Sequence, residues 1–149
     1  MTSVLILSHG GLAAELLRAA DTIAGGTPQW MQAVCLEWDA SFEEARQRAA
    51  ETIESMEPTD GLLILTDMYG GTPFNVATSF TESAAVQVLA GVNLPMVLRL
   101  CCLGEPEMSA AELVLWLEEK GRRSICHCSE NHRGRNGDAE RVEPVRGHG

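Results

Sequence analysis

Apolar residues come in short unbroken runs separated by stretches of helical period, and that alternation carries most of the fold. Ser3 to Ser8 (SVLILS) is a brief run with no polar face, as expected of a strand buried on both sides. After His9-Gly10-Gly11, Leu12, Leu16, Ala20 and Ile23 recur at helical spacing and stop at Gly25-Gly26. Met31 to Glu37 reads as a second strand. Ser41 and Glu44 form a capping box for a helix that buries Phe42, Ala45, Ala49, Ile53 and Met56. Asp60-Gly61 is a turn, and Leu62 to Thr66 (LLILT) is a third strand.

Gly70-Gly71 leads to Thr72 as N-cap and Pro73 at the first helical position, so a helix is expected from there to about Glu82. Val86 to Val92 makes a fourth strand, and Leu94 to Leu103 a helix broken by Glu105-Pro106. A last amphipathic helix, Ser109 to Lys120, carries Leu113, Val114, Trp116 and Leu117 and is stopped by Gly121; Arg122 to Cys128 reads as a short fifth strand. The alternation implies an α/β fold with an open, mostly parallel four-stranded sheet flanked by helices.

At 149 residues and 16.1 kDa the chain fits one compact domain. Its formal charge of -10 disfavours wholesale nucleic-acid binding, because an acidic surface repels a phosphate backbone. The excess lies entirely in residues 1–129; residues 130–149 hold 4 basic and 4 acidic residues, almost nothing apolar, and read as a disordered tail. With no basic leader and no apolar stretch of membrane-spanning length, the chain reads as cytoplasmic, without direct membrane insertion. Cys35 and Cys101 fall in apolar runs, where a free thiol acts as a small hydrophobe.

In an open parallel sheet, ligands collect beyond the carboxyl ends of the strands. There stand His9-Gly10-Gly11 after the first strand and Asp67 to Pro73 after the third. In a 2-1-3-4 strand order His9 and Asp67 fall side by side. A histidine whose Nδ1–H donates to a carboxylate is held in one tautomer, with Nε2 free as nucleophile or base. The glycine pairs open onto helix N-termini, whose amides and dipole favour an anion, and Thr72 adds a hydroxyl. Each residue also has a plain structural reading: a strand-end histidine, an aspartate bonding loop amides, turn glycines before a cap.

The strings VLILSHGGLAAELLRAA, GLLILTDMYGGTPFNVATSF and VLAGVNLPMVLRL closely resemble the enzyme IIA component of mannose-type phosphotransferase systems, in order and spacing from about Ser3 to Leu103 and more loosely to Cys128. The resemblance implies that His9 accepts a phosphoryl group from the phosphocarrier HPr and passes it to a IIB partner. It implies that Asp67 orients His9 and that Thr72 lies beside the phosphoryl group, which the helix N-termini at Gly10, Gly11, Gly70 and Gly71 are expected to cradle. It also implies a homodimer that exchanges a C-terminal strand, here about Arg122 to Cys128, and no cofactor. No IIB domain follows in this sequence, so a separate subunit is expected. A regulatory IIA that senses phosphorylation state is the alternative; a flavodoxin-like nucleotide or FMN module is less favoured, since no P-loop lysine or GxGxxG run is present.

Cys126-His127-Cys128 with His132 invites a metal reading, which strand alternation opposes by turning His127 away from the two thiols. Trp30, Trp38 and Trp116 read as packing residues, with Trp38 or Tyr69 open to a second role at the rim of the cleft.

Overall fold

The computed structural model describes residues 1–129. The predicted tail, residues 130–149, and His132 within it lie outside the described residues.

Four parallel strands, β1 (Ser3–His9), β2 (Met31–Leu36), β3 (Leu62–Thr66) and β4 (Val86–Ala90), form one sheet in the order β2-β1-β3-β4. The helices α1 (Leu12–Ala24), α2 (Phe42–Met56), α3 (Gly71–Thr78), α4 (Leu94–Cys102) and α5 (Ala110–Arg123) alternate with or follow them. The central pair, β1 and β3, is apolar on both faces because helices cover both. Val4 and Ile6 of β1, with Leu63 and Leu65 of β3, point into a core closed by α1, α4 and α5. Leu5 and Leu7, with Leu62 and Ile64, point into a second core under α2 and α3. Full burial of each such leucine or isoleucine contributes about 1.5–3 kcal/mol before the entropy of ordering is subtracted. The α/β sheet of four parallel strands is therefore as the periodicity predicts.

The helix boundaries are where the structure and the sequence reading part. The Ser41–Glu44 capping box is present, and Ser109 and Glu112 build a second one at α5 that the same Ser-x-x-Glu spacing announces. On α1 the buried face is centred on Ala13 and Ala20, with Leu12 and Ile23 exposed, so the inward stripe is rotated by about one residue. Phe42 is likewise exposed at the start of α2. The helix α3 starts at Gly71 with Gly70 as its N-cap, two residues ahead of the expected Thr72 cap, leaving Pro73 in the first turn, where its missing N–H costs nothing. It ends at Thr78, not near Glu82. There the hydroxyls of Ser79 and Thr81 bond back to the Val76 and Thr78 carbonyls and the chain tightens into i→i−3 turns.

The C-terminal expectations need the largest correction. Gly121 does not stop α5; it lies inside the helix, buried against Met96 of α4, where a Cβ would come within 2.6 Å of the Met96 sulfur. Glycine serves close helix packing there, a demand that local sequence does not reveal. Arg122 and Arg123 are helical, and the residues up to Ser129 form no strand, so the fifth strand is absent among the described residues. The alternation argument about Cys126, His127 and Cys128 lapses with it. Among the described residues, no three His, Cys, Asp or Glu side chains come together to hold a metal. No described helix is long and apolar enough to cross a membrane.

Candidate functional site

The site lies at the carboxyl edge of β1 and β3. His9 is the last residue of β1, opposite Leu36 of β2, and Asp67 immediately follows β3. Because β1 and β3 are hydrogen-bonded neighbours in parallel register, with Leu7 opposite Thr66, the two side chains emerge at the same edge. Asp67 Oδ2 lies 2.8 Å from His9 Nδ1 and also accepts the His9 backbone N–H at 3.0 Å. Oδ1 accepts the Met68 N–H at 3.0 Å. Asp67 thus satisfies loop amides and holds the imidazole with one carboxylate. An ionised carboxylate only accepts, so a neutral imidazole held there carries its proton on Nδ1 and keeps the Nε2 lone pair free. Asp67 is 10 % exposed and His9 22 %, so the carboxylate is shielded and the ring can be reached.

Two glycines keep the ring where it is. Gly71 at the start of α3 has φ +81°, and a Cβ there would come within 3.1 Å of His9 Cε1 and 3.2 Å of Nε2. Only glycine takes that backbone conformation cheaply and leaves Nε2 clear. Gly10 has φ +51°, and a Cβ there would meet the Trp38 indole nitrogen at 3.0 Å. Its own N–H is committed to the Leu36 carbonyl at 2.9 Å. Trp38 stacks on His9, with ring centroids 5.2 Å apart and planes inclined by 19°.

Of the remaining residues singled out in sequence, Gly11 is the N-cap of α1. Ser8, which the sequence reading passed over, stands in for the cap side chain that Gly11 lacks: its buried Oγ accepts the Ala13 N–H at 2.7 Å. Gly70, Gly71 and Thr72 together form the N-terminal end of α3, where backbone N–H groups have no intrahelical partner. Tyr69, in the loop between β3 and α3, is 80 % exposed and packs against Phe74. Trp38, also 80 % exposed, contributes nothing to the core. The packing role expected of it is wrong, and the rim role is what the geometry supports. Trp30 is buried and Trp116 packs against the α1-side core, as read. Cys35 and Cys101 pack there too, and burial pushes the Cys101 thiol upward, away from a reactive thiolate.

An imidazole fixed through Nδ1, its Nε2 beside a helix N-terminus, combines a nucleophile with a place for an anion. The family model EIIA-man, described as PTS system fructose IIA component, matches residues 3–115. The fructose-specific EIIA component of Bacillus subtilis strain 168 is 29% identical over 132 residues, 88% of this chain and 89% of its own length. The mannose-specific EIIAB component of Escherichia coli K12 is 29% identical over 126 residues, 83% of this chain, and the match spans 38% of that relative's length. A phosphotransferase system EIIA component from Streptococcus agalactiae has the same fold, with a TM-score of 0.73 and 25% identity, over 85% of this chain and 97% of that one. The chain belongs to the EIIA family of mannose-, fructose- and sorbose-type sugar phosphotransferase systems.

Proposed function

We propose that this chain is a phosphoryl carrier in the cytoplasm: Nε2 of His9 accepts a phosphoryl group from HPr and later yields it to a IIB partner. The observation that carries the reading is the 2.8 Å contact between His9 Nδ1 and Asp67 Oδ2, which in the neutral imidazole favours the proton on Nδ1 and a free lone pair on Nε2. In the first transfer the bond from phosphorus to the donor histidine breaks as the bond to Nε2 forms. No proton needs to leave His9, since its one ring proton stays on Nδ1 in the bond to Asp67. The charge on the resulting imidazolium is balanced by that carboxylate. In this reading amides at Gly70, Gly71 and Thr72, with the Thr72 hydroxyl and the Gly11 end of α1, receive the phosphoryl oxygens. In this reading Gly10 shapes the turn behind the ring. Catalysis is then mainly positioning and charge stabilisation.

The reading includes a homodimer. The strand β4 pairs with β3 on one side only among the described residues, and Ile125, beyond α5, is 81 % exposed. An unpaired edge and an apolar residue beside it are what a second copy would cover.

The test is phosphorylation by enzyme I, HPr and phosphoenolpyruvate. Wild-type protein is expected to gain one acid-labile phosphate and to pass it on to an added IIB domain. His9→Ala is expected to gain none; equal labelling of that variant would overturn the assignment.

A further inference from the structure

We propose that Trp38 is a positioning residue for His9: its indole fixes the plane of the imidazole so that Nε2 faces the incoming phosphoryl group. This inference rests on the carrier reading above and adds a group to it. The bond from Nδ1 to Asp67 anchors one atom of the ring, and the same Oδ2 accepts the His9 N–H, so backbone and ring share a single anchor. With Cβ tethered to the chain and Nδ1 held by one hydrogen bond of broad angular tolerance, the imidazole can still swing through a limited arc about χ1 and χ2. A stacked partner at 5.2 Å and 19° opposes that swing, since tilting the imidazole drives its edge into the indole.

Three further observations point the same way. Trp38 is 80 % exposed, so no packing demand explains a tryptophan there. It lies in the loop between β2 and α2, brought to the site because β2 is the other neighbour of β1. Gly10, whose missing Cβ makes room for the indole nitrogen, immediately follows His9, so the backbone at the strand end accommodates the stack. The ring is therefore bounded by Asp67 at Nδ1, by Trp38 on a face and by Gly71 near Cε1 and Nε2. The rest of the indole is open to solvent.

The test compares wild type, Trp38→Ala and Trp38→Phe in two measurements. By NMR, the ring protons of His9 should carry an upfield ring-current shift that Trp38→Ala abolishes and Trp38→Phe largely retains. In phosphorylation by phospho-HPr, Trp38→Ala should lower the maximal rate roughly three- to tenfold with little change in KM, and Trp38→Phe should restore most of it. An unchanged maximal rate, or a rise in KM alone, would overturn the positioning role; the second result would make Trp38 a docking contact. Circular dichroism of each variant separates a lost stack from a lost fold. If wild-type protein itself takes no phosphate, the carrier reading fails and this inference falls with it. If wild type is labelled and Trp38→Ala is labelled equally fast, only the Trp38 inference fails.

Discussion

Asp67 holds His9 twice with one oxygen, accepting the ring Nδ1–H at 2.8 Å and the backbone N–H at 3.0 Å. The two hydrogen bonds tie the tautomer of the imidazole to the position of its own main chain, so the side chain and the strand end move together. Asp67→Asn is expected to keep the fold, because an amide oxygen can still accept the His9 N–H. It should slow phosphorylation of His9 about 10- to 100-fold, since a neutral amide oxygen holds the Nδ1–H tautomer more weakly than a carboxylate and cannot balance the imidazolium charge that phosphorylation creates. Stopped labelling time courses at saturating phospho-HPr check this. Wild-type kinetics would remove the orienting role.

Gly71 makes a sharper prediction than its neighbour Gly70, where a Cβ would meet nothing within 4 Å. Gly71→Ala places a methyl against His9 Cε1 and Nε2 and forces alanine into a left-handed conformation, at a cost of about 1–2 kcal/mol. Labelling should therefore fall more steeply than stability. In Gly70→Ala the backbone, at φ +79° and ψ 175°, is strained in a region that only glycine takes readily, but the ring is untouched, so loss of labelling beyond the loss of stability should be confined to Gly71→Ala. Melting temperatures and labelling rates of the two variants decide it.

Away from the site, Gly121 is expected to couple to Met96. Gly121→Ala gains about 1 kcal/mol of helix propensity but overpacks the junction between α4 and α5, a penalty of about 1–3 kcal/mol. In a Met96→Ala background the obstruction is gone and the same substitution should be neutral or stabilising. A double-mutant cycle by urea denaturation measures the coupling. Additive effects would show that the two helices relax apart freely.

The Ser109 cap gives a pH dependence. Glu112 accepts the Ser109 N–H and hydroxyl at 2.9 Å each, and those bonds hold its carboxyl below the ordinary value. A depressed folded-state value means the contribution is fully present above the unfolded-state value and is lost as pH falls through the folded one. The melting-temperature difference between wild type and Glu112→Gln, which keeps the acceptor and removes the charge, should shrink on acidification. A difference that stays constant from neutral to acid pH would show that the charge contributes nothing.

Hydrophobic periodicity was enough for the four strands, their parallel sense and the edge on which the chemistry stands, because strands covered on both faces have no polar alternation to confuse them. His9 and Asp67 were legible for the same reason: each follows an unmistakable apolar run, and neighbouring strands must bring such ends together. The Ser41 cap was legible because it is local. What required the tertiary structure was everything set by contacts between distant segments. Gly121 looks like a helix stop until Met96 is seen against it. Residues 122–128 are apolar enough to suggest a strand, yet α5 continues to Arg123, because its turns already pack on α4 and β4. Trp38 is one tryptophan among three in the sequence. Only the order of the strands, which sets β2 beside β1, lays its indole on the ring of His9.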